Sequence, residues 1–364
     1  MGSDNLKKID KSLFISCIVI SLFGLLMIYS SSYIWAEYKF NDPFKYVKNQ
    51  GLFLIIGIIM MHYTSKIEYT KYYKYSNNIF TICFSLIILV LFIGSQRNGS
   101  KSWFGIGSFG IQPSEFMKLS MIIFTSKYLY NNKKDISNIK KGVIPILFLT
   151  ILIFSLIMLQ PDFGTGIILV IGVIGLLFIG GVDIKFFFKI GLLGILGITG
   201  LIIAAPYRLK RILSFLNPWS DPLGSGFQII QSLYAIGPGG LFGYGFGGSR
   251  QKHFYLPEPQ TDFIFSIISE EFGFLGIIIV SSLFCFIIYK SIKISLKCEN
   301  LFGKYLAFGI IFMISFQSIL NLCVVIGLIP VTGVTLPFLS YGGSSLLITL
   351  IEMGIILNIS RYQK

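Results

Sequence analysis

Two carboxylates, Glu258 and Asp262, stand close together in the segment Tyr255–Phe265, immediately before a long apolar run. An acid at this place is predicted to lie where a membrane helix meets water, within reach of a lipid head group and next to a medium of low dielectric constant. Charge in such a position is costly, so it usually serves a chemical purpose. The pattern therefore makes Asp262 the first candidate for a catalytic base.

The composition indicates that these acids belong to a membrane protein. Of the 364 residues, 54% are hydrophobic and only 13% are charged, and a soluble domain of this length could not bury so much apolar surface. A span needs about 20 apolar residues and must satisfy its own backbone hydrogen bonds, which predicts helices. We predict an all-α polytopic membrane protein in one domain, residues 1–364, with about ten transmembrane helices: Leu13–Ser32, Val47–Tyr63, Asn77–Gly94, Ser114–Leu129, Val143–Leu159, Thr165–Gly181, Phe186–Ala205, Phe263–Tyr289, Tyr305–Gly327 and Ser344–Ile359.

Lysine and arginine are distributed unequally between the predicted connections. If the N-terminus is cytoplasmic, most of the basic residues fall on the inner side, and ten crossings return the C-terminus to the same side. This bias predicts that both termini are cytoplasmic. The net charge of +14 is then an orientation signal and an attraction to anionic lipid, and it does not indicate nucleic-acid binding.

One predicted connection is much longer than the others, the extracytoplasmic loop of about residues 206–262 between the seventh and eighth spans. Long connections are often functional. Its basic residues flank the glycine-rich run Gly237–Gly248, whose backbone could approach phosphate oxygens. We favour a site for an anionic ligand such as a lipid pyrophosphate over the alternative, that long loops escape the charge rule. The basic residues are Arg208, Lys210, Arg211, Arg250 and Lys252.

The segment Gln112–Lys118 opens the fourth predicted span with a charged pair. Glu115 and Lys118 are three residues apart and share a helical face, so they can form an ion pair. Ser114 is the predicted N-cap, and Glu115 suits the positive end of the helix dipole. The residues alone allow either a structural pair that orients helices or a catalytic one.

Further acids lie at the ends of apolar runs or inside them. Asp162, between the fifth and sixth spans, is predicted to be a helix cap or a second acid of the cavity. Glu270 and Glu271 are about 100° apart on the eighth span, so at most one faces a polar lumen well. Exposure of both to lipid is excluded by its cost. Glu352 is predicted to be paired or to face the cavity.

The stretch Leu328–Ser345 contains too many glycine, proline and hydroxyl residues for a regular span. A re-entrant loop of this kind is tolerated where protein or water satisfies its backbone. We therefore predict a polar cavity lined by the fourth span, the eighth span and the loop Pro330–Ser345, with Asp262 at its mouth. The five cysteines have neither metal-binding nor disulfide spacing, and the isolated His62 and His253 support neither a zinc site nor a Ser-His-Asp triad.

Several of these segments together resemble one protein family. The chain is similar to the SEDS family (shape, elongation, division and sporulation), which includes FtsW, RodA and the stage V sporulation protein E. Lys101 departs from the family pattern, because relatives usually have arginine there and lysine offers only a point charge to phosphate. The residues that carry the resemblance are Gln112–Lys118, Gln160–Thr165, Asn217–Trp219, Leu256–Glu258, Thr261–Phe263 and Leu336–Gly343, while Asp221–Gln231, Ala235–Gly240 and Pro259–Gln260 resemble the FtsW and sporulation branch.

The resemblance implies a peptidoglycan glycosyltransferase that polymerises lipid II. A sugar hydroxyl of lipid II would attack the anomeric carbon of the growing glycan, displace undecaprenyl pyrophosphate and invert that centre. Asp262 is the residue that matches the family's proposed base. The candidates for substrate binding are Lys101, Glu115, Lys118, Asp162, Arg208, Arg211, Arg250, Lys252, Glu258 and Ser340.

The resemblance also implies the surroundings of the reaction. These are a divalent cation (Mg²⁺ or Mn²⁺) with no organic cofactor, and a class B penicillin-binding protein as the partner transpeptidase. Divisome or sporulation proteins would assemble with the chain at the septum of the cell membrane, in division, sporulation or the control of cell shape. Two other functions stay open: a lipid II flippase, which needs a polar path through the membrane, and a non-catalytic scaffold for a transpeptidase.

Overall fold

The computed structural model describes residues 7–97, 100–105, 110–136, 138–203, 209 and 213–363. Each of the ten predicted spans lies on a helix of this structure, with ends that differ by a few residues or, in α1, α3 and α9, by two turns. The helices are α1 (Lys11–Phe40), α2 (Lys45–Thr64), α3 (Tyr69–Ile93), α4 (Pro113–Asn131), α5 (Ile144–Met158), α6 (Phe163–Ile179), α7 (Ile184–Ile203), α8 (Phe227–Ile236), α9 (Ile264–Lys297), α10 (Leu301–Val325) and α11 (Gly343–Ile359).

Six of the helical segments in the described residues are long and apolar enough to cross a membrane. They contain α1, α3, α5, α9, α10 and α11, and α6 is a shorter apolar helix. This length and composition agree with a polytopic membrane protein. The number of crossings, ten, stays a prediction.

The helix ends follow local chemistry. The Asp10 side chain accepts a hydrogen bond from the backbone N–H of Leu13 at the start of α1, and Asn300 accepts one from Phe302 at the start of α10. Gln112, not Ser114, is the N-cap of α4, because Pro113 occupies the first helical position. The prediction of Ser114 as the cap was therefore wrong by two residues.

Two elements were not predicted from the sequence. A short antiparallel hairpin, β1 (Ser95–Arg97) and β2 (Ser100–Trp103), stands between α3 and α4. The long predicted loop contains the helix α8, which packs against α9. Both elements belong to connections that lack the length of an apolar span, so hydropathy alone did not reveal them.

Close backbone approach fixes the helix contacts in the core. α2 packs along α11, where a Cβ on Gly354 would lie 2.5 Å from the Met61 carbonyl oxygen. Small residues at such contacts let membrane helices pack without a hydrophobic driving force between them. α3 packs on α4 and α9 on α10, so the helices surround a common interior.

α9 is broken at Gly273, whose φ of 61° and ψ of −155° are not helical. The break frees backbone groups, and the glycine-rich run pairs with them: Tyr244 N–H donates to the Glu270 carbonyl at 3.0 Å, and Gly245 N–H donates to that of Glu271 at 2.9 Å. On the other side of the break, Phe274 N–H donates to the Gly240 carbonyl at 2.9 Å. The glycine run therefore packs on α9 and does not line the cavity, in contrast to the predicted phosphate contact.

Candidate functional site

A cavity of about 1700 Å³ lies among the first residues of α2, α4, α6 and α11, the last turns of α1, and the connections before α9 and after α10. The predicted cavity is confirmed for α4 and the loop Pro330–Ser345, which line it together with Asp262. Among the described residues, the predicted eighth span, Phe263–Tyr289, contributes none of the lining, so that part of the prediction was wrong. Four carboxylates line the wall: Glu115, Asp162, Glu258 and Asp262. Clefts that combine apolar walls with a few converging polar groups are the usual place for a substrate.

Asp262 lies in this wall, half-buried, one residue before the N-cap of α9. The Thr261 hydroxyl donates to Asp262 Oδ1 at 2.9 Å. The Asn321 amide nitrogen, from α10, donates to the Asp262 backbone carbonyl at 2.8 Å and to that of Val334 at 2.7 Å. A helix N-terminus favours negative charge, and the arrangement holds a partly accessible carboxylate at that place.

The backbone before Asp262 is strained. Phe254 and Glu258 have φ values of 68° and 43°, a region that costs residues with a side chain on the order of 1–3 kcal/mol. Two contacts hold the segment: the Thr261 hydroxyl donates to the Glu258 carbonyl at 2.7 Å, and Tyr341 N–H donates to the Gln260 carbonyl at 2.8 Å. The acids are therefore tied to the loop that follows α10.

Glu115 and Lys118 form the predicted ion pair, with 3.1 Å between Glu115 Oε1 and Lys118 Nζ, and both side chains are more than 90% buried. Lys118 also donates to Gln317 Oε1 at 2.9 Å, and Gln317 Nε2 donates to the Thr335 carbonyl at 3.0 Å. Glu115 and Gln317 line the cavity. The pair thus supports the wall and connects α4 through α10 to the loop.

Asp162 combines the two roles predicted for it. Its Oδ1 accepts a hydrogen bond from Thr165 N–H at 3.3 Å, which caps α6, and its Oδ2 accepts from Gln112 Nε2 at 2.7 Å and Ser114 Oγ at 3.3 Å. It also lines the cavity. Asp162 precedes the predicted span Thr165–Gly181, and burial raises the pKa of its carboxyl above the ordinary value.

Lys252 is not available as a free phosphate ligand. Although it lies at the cavity wall, its side chain has no exposed surface, and Nζ lies 3.0 Å from Glu271 Oε1. Nζ also donates to the Gly247 carbonyl at 2.6 Å, and the Ser30 hydroxyl donates to Glu271 at 2.6 Å. The prediction that Lys252 binds substrate is therefore replaced by a buried ion pair between the loop and α9.

Glu270 completes this arrangement, because its carboxylate accepts hydrogen bonds from the Ser249 hydroxyl, Arg250 N–H at 2.9 Å and Gln251 N–H at 3.3 Å. We call Ser30, Ser249, Lys252, Glu270 and Glu271 the α9 clamp. Both glutamates are buried, and neither lines the cavity. The expectation that at most one of them faces a polar lumen is confirmed in the described residues, where both carboxylates bind the loop.

The other basic candidates are spread out. Exposed Lys101 donates to the Phe92 carbonyl at 3.0 Å, while its neighbours Ser100 and Ser102 line the cavity. A strand turns alternate side chains to opposite faces, which explains why the lysine points away. Arg250 is exposed outside the cavity, with its guanidinium 4.7 Å from the Tyr244 ring centroid. Arg208 and Arg211 lie outside the described residues.

The remaining polar predictions are structural in the described residues. Ser340 is buried away from the cavity, and its hydroxyl accepts a hydrogen bond from Leu336 N–H at 2.9 Å, which closes a turn. Glu352 is 2% exposed and does not line the cavity, and its Oε1 has no hydrogen-bond partner in the described part of the chain. Of the two alternatives predicted for Glu352, pairing or facing the cavity, the second is not found there.

Amide side chains are the functional groups that the sequence did not reveal. Gln50 donates to the Ser340 carbonyl at 3.2 Å and accepts from Gly342 N–H at 3.2 Å, which fastens the loop after α10 to α2. Asn321 and Gln317 do the same from α10. An uncharged amide within an apolar run was the available signal, because such groups are buried only with partners.

Lys39, near the end of α1, also lines the cavity and was not among the predicted substrate ligands. Its ammonium lies 5.7 Å from the Trp35 ring centroid and 5.6 Å from that of Phe40. The residue is exposed, so its charge is available at the cavity mouth. Aromatic faces beside a cation stabilise it without neutralising its charge.

No cluster of three or more His, Cys, Asp or Glu side chains that could hold a metal ion occurs in the described residues. The chain therefore offers no all-protein metal site there, and no chemical step is assigned to a metal. Mg²⁺ is commonly held by one or two carboxylates together with substrate phosphates. The divalent cation implied by the resemblance stays a prediction.

Comparison with known proteins gives a consistent result over almost the whole chain. Residues 10–364 match the family of cell cycle proteins FtsW, RodA and SpoVE. The chain is 52% identical to the stage V sporulation protein E of Bacillus subtilis, with 98% of both chains covered. It is 37% identical to a probable peptidoglycan glycosyltransferase FtsW of Geobacter sp. (strain M18), with 96% of both covered.

Solved structures agree with this result. One chain of a peptidoglycan synthase complex, described as coordinating polymerization and crosslinking, is 30% identical and superimposes with a TM-score of 0.79, covering 98% of this chain and 99% of that one. The rod shape determining protein RodA of Thermus thermophilus is 26% identical, with a TM-score of 0.72 and 98% of both chains covered.

Proposed function

Since the chain belongs to the FtsW, RodA and SpoVE family of cell cycle proteins, we propose that it is a peptidoglycan glycosyltransferase that polymerises lipid II. The observation that carries the proposal is the position of Asp262, a half-buried carboxylate oriented by Thr261 in the wall of the cavity. A volume of about 1700 Å³ leaves room for two sugar-containing substrates side by side.

The reaction forms one glycosidic bond and breaks one bond to phosphate. A sugar hydroxyl of lipid II attacks the anomeric carbon of the growing glycan, and undecaprenyl pyrophosphate leaves with the electron pair of the broken C–O bond. Asp262 takes the proton of the attacking hydroxyl. A single base suffices for this inversion, because pyrophosphate is already a good leaving group.

The neighbouring residues position the base and the substrate. Asn321 and Thr261 hold Asp262, and Tyr341 fixes the segment through the Gln260 carbonyl. Lys39 at the mouth supplies positive charge for the leaving pyrophosphate. Fixed charge aimed at developing negative charge lowers the barrier of such transfers.

The test is polymer formation by the purified chain, reconstituted in lipid with labelled lipid II. Asp262→Asn keeps the size and much of the hydrogen bonding of the side chain but removes its basicity. We expect wild-type protein levels and a loss of about a hundredfold or more in rate. Glu258→Gln is the matched control, because Glu258 lines the same wall four residues earlier, and it should lower the rate less.

Near-wild-type polymerisation by folded Asp262→Asn would refute this assignment and make Glu258 the next candidate. If the wild-type protein formed no polymer but moved lipid II across the membrane, the flippase function would be favoured. The cation is tested in the same assay: chelation should lower the rate, and Mg²⁺ or Mn²⁺ should restore it. Unchanged activity after chelation would remove the cation from the proposal.

The proposal includes ten crossings of the cell membrane in a single domain, with both termini cytoplasmic, the loop 206–262 outside, and a location at the septum. A reporter fused after Lys364 should behave as cytoplasmic. A reporter inserted between Gly224 and Gly248 should behave as extracytoplasmic. Reporters on the same side would contradict this topology.

We also propose a class B penicillin-binding protein as the partner, since a related chain of known structure belongs to a peptidoglycan synthase complex. The exposed faces of α9 and α10 are the proposed contact, because α9 leads directly from the cavity. Ile279 and Ile319 are exposed apolar residues there. Substitution of both by alanine should weaken co-purification of the transpeptidase, whereas the same change at Ile151 of α5 should not.

A further inference from the structure

A second, smaller pocket of about 630 Å³ lies beside the cavity, on the outer surface of the loop. We call it the outer pocket. Its volume falls in the range of ordinary ligand sites. Neither the catalytic proposal nor the partner proposal uses its residues, which are Gln231, Tyr234, Arg250, Gln251, His253 and Tyr255.

One segment of the chain separates the outer pocket from the cavity. From residue 252 onwards its side chains alternate: Lys252, Phe254 and Leu256 border the cavity, whereas His253 and Tyr255 border the outer pocket. The segment is therefore a wall one chain thick. A polymer held on one side of it has its end within a short distance of the catalytic cavity on the other.

The wall is held in place by the α9 clamp. Glu270 accepts from the N–H groups of Arg250 and Gln251, and Lys252 is buried against Glu271. A site on a fixed segment can bind with little ordering cost. The outer pocket is therefore preformed, although it lies on a long loop.

The lining groups suit a sugar chain with acidic substituents. Tyr234 and Tyr255 are half exposed and present flat apolar faces with a hydroxyl, and Trp219 extends this surface, its ring 5.9 Å from that of Tyr234. Arg250 also lines the pocket, with its guanidinium 4.7 Å from the Tyr244 ring centroid, and a guanidinium can bind a carboxylate through two hydrogen bonds. Gln231 and Gln251 add amide side chains to the lining, which can exchange hydrogen bonds with sugar hydroxyls.

We propose that the outer pocket binds the glycan already polymerised, as a saccharide chain that carries carboxylates, and that it keeps this product beside the cavity between successive additions. The inference rests on the proposed glycosyltransferase function. Its consequence is processivity: a chain retained at the outer pocket is extended again before it leaves. Weakening the pocket should shorten the product without removing the chemistry.

The first experiment measures binding of a soluble probe to the full chain in nanodiscs. The probe is a tetrasaccharide of the glycan that carries its peptides and is not crosslinked. Tyr255→Ala and Arg250→Gln should each weaken binding about tenfold, as expected for the loss of a stacked ring or an ionic hydrogen bond. Asp262→Asn should bind like the wild type. Phe242→Ala is the matched control, because Phe242 is an exposed aromatic residue of the same loop outside both pockets.

The second experiment measures product length with lipid II as substrate. The pocket variants should make shorter glycans at a nearly unchanged initial rate of bond formation, and Phe242→Ala should make glycans of wild-type length. The inference would be overturned if the pocket variants bound glycan and made products of wild-type length. It would also be overturned if these variants lost co-purification of the transpeptidase while they still bound glycan. If the wild type binds glycan but forms no polymer, the proposed function fails and the glycan site stands.

Discussion

The structure contains two buried lysine–glutamate pairs of nearly equal length, one within α4 and one in the α9 clamp. Glu115 and Lys118 are separated by 3.1 Å, and Lys252 and Glu271 by 3.0 Å. The first pair lies on one helix and keeps a contact with the cavity through Glu115. The second pair joins the loop to α9 and has no exposed side-chain surface.

The difference lies in what surrounds each pair. Lys118 donates to an amide, Gln317, which itself lines the cavity, so the charge of the first pair can act on a bound substrate. Lys252 and Glu271 are surrounded by a hydroxyl and a backbone carbonyl that saturate them. The same chemical pair thus shapes the electrostatics of the site in one place and fastens the loop in the other.

The largest effect should follow from removing one charge of the Lys252–Glu271 pair. Lys252→Ala or Glu271→Ala leaves a buried charge without its partner, which costs about 3–5 kcal/mol. We expect a large drop in the amount of folded protein, measured by membrane yield and by thermal unfolding in detergent. Wild-type stability of either variant would show that water reaches this pair.

The neutral double variant Lys252→Met with Glu271→Gln is the control for that experiment. Replacing both charges avoids the unpaired ion, and such replacements are often neutral for stability. The amide can still accept the hydrogen bond of Ser30. We expect recovery of folded protein together with most of the polymerisation rate, because the Lys252 side chain, although it borders the cavity, has no exposed surface.

The pair beside the cavity should respond differently. Glu115→Ala or Lys118→Ala should lower both the amount of folded protein and the activity, since each substitution leaves a buried charge without its partner. The double variant Glu115→Gln with Lys118→Met should recover folded protein, but its polymerisation rate should stay at least tenfold below the wild type. Recovery of full activity would mean that both pairs are only structural.

The comparison also shows how far a sequence can be interpreted. The ten apolar runs predicted ten helical segments, and the spacing of Glu115 and Lys118 predicted their pair, because both follow from helix periodicity. The position of Asp162 as a cap followed in the same way. Each of these features depends on residues that are close together in the chain.

Features that depend on distant residues were not predictable in this way. Lys252 and Glu271 meet only because α9 breaks at Gly273 and the glycine run folds back on it. The sequence indicated acids in a helix and basic residues in a loop, but no local pattern says that they neutralise each other. For the same reason Lys39, 219 positions before Glu258 in the chain, was not connected with the cavity.

Lys39 and Lys101 allow a smaller test, because both are exposed lysines and, of the two, only Lys39 lines the cavity. Lys39→Ala should lower the polymerisation rate about tenfold, the effect of roughly 1.4 kcal/mol of lost stabilisation of the leaving group. Lys101→Ala should leave the rate nearly unchanged. Equal effects of the two substitutions would mean that the charge at the mouth acts without direct contact.

Asp162 gives the smallest effect and is a third case in the comparison. It is a half-buried acid that accepts hydrogen bonds from the neutral groups of Gln112, Ser114 and Thr165. Burial raises the pKa of Asp162 in the folded protein above its unfolded value near 3.8. Stability from the protonated form is therefore fully present below that unfolded pKa and is lost as the pH rises through the folded pKa. Asp162→Asn cannot ionise and still caps the helix.

We therefore expect the free energy of unfolding of Asp162→Asn, relative to the wild type, to increase with pH over the window above 3.8. The change is measured by denaturant unfolding of both proteins across a pH series. Ser114→Ala serves as the control, since it removes one donor without removing the titrating group. A difference between the two proteins that stays constant with pH would show that the Asp162 carboxyl is as well solvated in the fold as in the unfolded chain.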